Sequence, residues 1–173
     1  MSDSTMVEVH QSESQPNGSD IASLSPLTQL QFVSTTVLQQ ALDLVENILT
    51  SDEQLTVQSK FLPGSTIANT PMENNLSDAR EAFKQAISRI EEVVPAKSLD
   101  LPLTLNAVTP FMQTFETTFG RELWFAGLHA VHHWSMVRVI AGELDIKLND
   151  DFGFAPSTLV YKGSEALLGK AKI

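Results

Sequence analysis

The sequence contains no cysteine. That excludes disulfide scaffolds, thiolate zinc modules, iron–sulfur ligation and cysteine catalysis, and nothing points to an oxidising compartment. Basic side chains are also scarce, with 11 Lys and Arg against 21 Asp and Glu and a formal net charge of −10. A nucleic-acid binder needs a basic stripe to displace phosphate counterions, and an anionic membrane surface attracts the same sign, so neither partner is expected. No apolar run approaches the ~20 residues of a membrane span, and the N-terminus lacks the basic start and apolar stretch of a secretory signal. A soluble, cytoplasmic protein is the expectation. Phosphate-cradling glycine loops, serine nucleophile elbows and dinucleotide fingerprints are missing as well.

What is present fits one domain. The chain has 173 residues, 42% of them hydrophobic, enough for a core if most of it takes part. Residues 1–24 hold four acids, no Lys or Arg, and many Ser, Gln and Asn; such a segment cannot offset its ordering entropy and is expected to be a disordered tail. The domain is expected over 25–162, followed by a C-terminal tail over 163–173.

Ser25-Pro26 has the form of an N-cap and first helical residue. Behind it Leu30, Val33, Val37, Ala41, Leu44, Val45 and Ile48 recur at three- and four-residue steps, the spacing of one apolar helix face. That helix should end near Thr50, with a short turn at Ser51-Asp52-Glu53. Phe61-Leu62-Pro63-Gly64-Ser65 is loop chemistry. Thr70-Pro71-Met72-Glu73 is a capping box expected to open a second helix, with an apolar face of Met72, Leu76, Ala79, Phe83, Ile87 and Ile90 and a stop at Pro95. Leu101 to Leu105 and Phe111 to Phe115 alternate, which predicts two short strands or an extended connection. A long helix then runs from Thr117 or Thr118 to about Gly142 or Leu144, and 149–157 reads as an ordered loop. The fold class expected is all-α, a bundle of three long helices with a short extended or β connection before the last.

Three of the four histidines lie in the middle of that last helix. At 100° per residue, His133 projects about 40° from His129, and His132 about 60° to the other side, so all three imidazoles share one face. The H-x-x-x-H spacing of His129 and His133 puts two nitrogens within reach of one ion. The stripe Glu122, Ala126, His129, His133, Met136, Ile140 predicts that the pair faces the bundle interior. Buried imidazoles need partners there, either a cation or hydrogen bonds. Two histidines are an incomplete shell, and the third ligand must come from elsewhere. Glu122 lies about 10 Å along the axis from His129, too far to share an ion, and Glu73 is accounted for by the capping box. Arg121 and Glu122 read as first-turn charges, and Trp124, Phe125 and Trp134 as core aromatics or pocket walls.

Gly120-Arg121-Glu122-Leu123-Trp124-Phe125, then His129-Ala130-Val131-His132-His133, then Phe152-Gly153-Phe154-Ala155-Pro156-Ser157-Thr158 resemble the R-E-L-x-F, H-x-V-H-H and F-G-x-A-P-S-T motifs of the DinB-like superfamily, over roughly residues 26–162. The resemblance implies a four-helix bundle of up-down type with a divalent-metal site of three histidines. His129 and His133 would be two of them and His132 a proton-transfer or catalytic group. The ion would be Zn, Ni, Mn or Fe, and the reaction a metal-dependent transfer or hydrolysis on a small-molecule substrate. Dimers are common in that superfamily. The resemblance departs at Ile67/Ala68, where a helix carrying the first histidine is missing, so the metal could equally have been lost. The competing expectation is a non-catalytic helical module acting through self-association or partner binding, because removing one bundle helix exposes apolar stripes on the others.

Overall fold

The structure, a computed structural model, describes residues 21–60 and 70–170. The expected tail up to residue 20, the loop at 61–65 and the Ile67/Ala68 junction lie outside the described residues. Helix α1 spans Pro26–Asp43 and starts as its sequence dictates: the Ser25 hydroxyl accepts from the Thr28 amide at 3.2 Å, with Pro26 behind it. A π-helical turn, Leu44–Ile48, carries it on until Leu49 turns extended. The turn at Asp52–Leu55 forms as expected, closed by a reciprocal cap between Ser51 and Gln54.

The capping box at Thr70 is also present, but it opens a single 3-10 turn, Pro71–Glu73, rather than a long helix. Helix α2, Leu76–Val93, starts three residues later, where Asn75 Oδ1 accepts from the Asp78 amide at 3.0 Å and Asp52 Oδ1 from the Leu76 amide at 2.8 Å. Asn75 outcompetes Thr70 because a short Asn side chain favours the extended N-cap conformation and hydrogen-bonds the following turn. Pro95 lies in the closing 3-10 turn, Val94–Ala96.

Strands β1, Pro102–Val108, and β2, Met112–Thr118, form an antiparallel hairpin with Leu105 opposite Phe115 and Thr104 opposite Glu116. An all-α fold is therefore incorrect: the molecule combines helices with a two-stranded sheet. Asn106 to Val108, expected in the connection, belong to β1. Alternating Leu, Thr, Val and Phe suit a pleated ribbon, and the Thr109 amide closes its turn on the Phe111 carbonyl at 2.9 Å. Helix α3, Phe119–Glu143, follows directly, capped by Thr118. Helix α4, Pro156–Tyr161, and a 3-10 turn at Leu167–Gly169 complete the order.

Two small cores flank α1. On one side Val37 meets Val131, Leu159 and Leu168; on the other Leu42 and Val45 meet Leu76 and Ala79. Leu168 is buried, so the packed chain continues beyond 162. Helices α2 and α3 each pack along α1 but touch each other only sparsely, with Phe83 edge-on to Trp134 at 5.8 Å as a bridge. Everything placed on the faces between α2 and α3 depends on this. None of the described helices is long and apolar enough to cross a membrane.

Candidate functional site

The three histidines do converge. The Nε2 atoms of His129 and His133 are 3.1 Å apart, with ring centroids 4.7 Å apart and perpendicular. His132 lies 5.5 Å from His133 and 6.0 Å from His129 between centroids. Phe125 stacks on His129 at 5.7 Å, and the Arg121 guanidinium covers Phe125 and Trp124 at 5.1 and 5.3 Å. His133 titrates below ordinary imidazole, first because part of its hydration is lost, then because His129 and His132 would repel its charge.

The expected inward orientation is not found. All three histidines are exposed, because nothing among the described residues covers this face. No third ligand joins them among the described residues. Glu122 accepts from Thr117 Oγ1 at 2.7 Å, and Glu73 Oε1 accepts from the Thr70 amide at 2.9 Å and hydroxyl at 2.8 Å. Among the described residues no group of three or more His, Cys, Asp or Glu side chains could hold a metal ion. The expected metal-binding centre is therefore not found: the donors brought together among the described residues are two imidazoles hydrogen-bonded to each other, which do not fit a three-histidine centre. His132 contributes its backbone carbonyl to Ser135 Oγ at 2.6 Å, and its ring stays at the surface.

Two features were not legible as sites. One is a cavity of about 290 Å³ bounded by α1, the π turn, α2 and α3, with Leu44, Val45, Phe83, Trp134, Val137 and Ile140 in its walls. The apolar stripes of the three helices were its signal, since they carry more apolar surface than three diverging helices can cover. The other is the hairpin. Side chains alternate between its faces, so Leu103, Leu105 and Phe115 share one, and Thr104–Glu116 and Asn106–Thr114, hydrogen-bonded at 3.3 and 3.1 Å, share the other. The apolar face is open, with Leu105 at 39% and Phe115 at 47% exposure.

Comparison with known proteins adds one relative. The chain is 37% identical over 142 residues to FK506-binding protein 5 of Rhizopus delemar. The match takes in 72% of this chain and 36% of that protein, so the chain spans about a third of its relative's length. The DinB-like resemblance is thereby overturned, because the relative carries the name of a different family. No family model matches the chain, and no solved structure matches it. The motifs behind the resemblance have local causes. Gly153 takes a positive φ of 74° with the Trp134 carbonyl 2.8 Å from where a Cβ would stand, and Pro156 opens α4.

Proposed function

We propose that the chain is a non-catalytic binding module that acts by self-association, two copies meeting through the apolar hairpin face. The observation that carries this reading is the exposed apolar patch of the hairpin: a two-stranded ribbon is marginal in water, yet here Leu103, Leu105 and Phe115 share one face and are exposed. Burying one such side chain is worth about 1.5–3 kcal/mol, and a twofold contact engages each of them twice. The exposed Trp124, Phe125 and Leu128 of α3 add apolar surface. The length of the relative supports a module used within a larger protein.

The net charge of −10 opposes association, so added salt should strengthen it by screening. Sedimentation velocity over a concentration series is the test. A dimer that dissociates on dilution, and is lost in the Leu105→Thr, Phe115→Thr double variant, is expected; a native chain that stays monomeric at every concentration and salt overturns the reading.

The relative's name favours a second reading, FK506 binding by the shared segment. Calorimetric titration of FK506 into this chain alone tests it, with saturable binding supporting it and the absence of binding heat counting against it.

A further inference from the structure

We infer that the cavity between α1, α2 and α3 is a small-molecule site for an uncharged apolar ligand, such as a short alkyl chain or up to three aromatic rings. Its volume of about 290 Å³ lies just below the roughly 300–1,000 Å³ typical of ligand pockets, which suits a small ligand. The chemistry of its wall decides the ligand class. Among the described residues, all lining side chains are apolar except Gln54 and Glu73, and both are engaged in caps. Gln54 Oε1 accepts from the Thr50 and Ser51 amides at 2.7 and 3.1 Å, and Glu73 Oε1 from Thr70.

Trp134 completes the argument. Its Nε1 donates to the Val37 carbonyl at 2.9 Å, so the polar edge of the indole is satisfied elsewhere. A charged ligand would lose its hydration without gaining a partner in such a wall, whereas an apolar one gains contact and releases water.

The walls are also held in place. Lys84 Nζ pairs with Glu46 at 2.6 Å and Arg80 Nε donates to the Val45 carbonyl at 3.0 Å, tying α2 to the π turn. On the opposite side the Glu143 carboxylate accepts from Ser59 Oγ and the Lys60 amide, both at 2.8 Å, tying the end of α3 to the 51–60 segment. These ties join elements that carry the cavity's walls and so oppose its collapse, which is the preorganisation a ligand site requires.

The test uses the full chain and N-phenyl-1-naphthylamine, a neutral fluorophore, with 1-methylnaphthalene and 1-naphthoate as competitors of nearly equal shape. Saturable one-to-one binding, displaced by 1-methylnaphthalene and not by 1-naphthoate, is expected. Val57→Phe fills the cavity from a loop and should weaken binding by about tenfold or more, the scale on which single methylenes discriminate in apolar pockets. The Leu105→Thr, Phe115→Thr chain should bind as the native chain does. If Val57→Phe does not fold, methyl NMR of the native chain replaces it, with ligand-induced shifts expected at Leu44, Val45, Val137 and Ile140. Equal competition by the carboxylate, loss of binding only in the hairpin variant, or shifts confined to the hairpin would overturn the inference. Self-association is read separately by sedimentation, so the two proposals fail independently.

Discussion

His129 and His133 meet Nε2 to Nε2 at 3.1 Å on the open face of α3. One ring must donate and the other accept, so at least one of the two is neutral when the bond is made. Protonating both rings puts two donors against each other. The lowered His133 pKa reflects burial first and the two neighbouring histidines second. In an NMR titration, His129→Ala should raise the His133 pKa part of the way to the ordinary 6.5 of imidazole, the remaining depression coming from burial and His132. No upward movement would mean that His129 does not act on it.

The same shift fixes a direction for stability. The folded chain holds the His133 proton less tightly than the unfolded chain does, so the unfolded state binds more protons below the ordinary imidazole range. This contribution to stability is present above pH 6.5 and lost as pH falls through the lowered folded pKa. Urea unfolding from pH 7.5 to 5 should show a decline that His133→Gln reduces.

Gly153 and Gly163 both have positive φ, 74° and 63°, but only Gly153 has a carbonyl where a Cβ would go. Gly163→Ala should cost about 1–2 kcal/mol, the left-handed penalty alone. Gly153→Ala should cost more, because the 149–153 loop must leave the Trp134 backbone. Equal midpoints in urea would contradict this.

Asn75, not Thr70, caps α2. Asn75→Ala should lower stability by about 0.5–2 kcal/mol, the usual loss of an N-cap. Thr70→Ala should do less, since the turn it closes is only Pro71–Glu73. The reverse order would place the start of the helix where the sequence motif suggests it.

Trp134→Phe keeps the apolar ring but leaves the Val37 carbonyl without its 2.9 Å donor. The Val37 carbonyl keeps its bond within α1, so the loss is that of one net hydrogen bond, about 0.5–1.5 kcal/mol. Thermal unfolding should detect that loss, while Trp124→Phe, at an exposed position, should leave the midpoint nearly unchanged.

Much of the local structure was legible from the residues. Ser25-Pro26, the Ser51 turn and the Thr118 cap lie where short-range hydrogen-bonding chemistry puts them, and helical periodicity alone brings His129 and His133 together. The alternating runs at 101–105 and 111–115 announced extended chain. The start of α2 was misplaced because two capping signals stand five residues apart, and the Asn75 cap together with the packing of Leu76 against Leu42 and Val45 selects the later one.

What the sequence by itself determined is therefore whatever closes within a few residues: caps, turn positions, and which side chains of one helix point the same way. Tertiary structure alone decided that α2 and α3 both lean on α1 and touch each other only sparsely. That arrangement leaves a cavity beside Trp134, and the histidine face stays in solvent without a third donor among the described residues. The pairing of β1 with β2 then sorts Leu105 and Phe115 onto one open face. Periodicity encodes which residues share a face, but burial depends on whether a distant segment arrives to cover it.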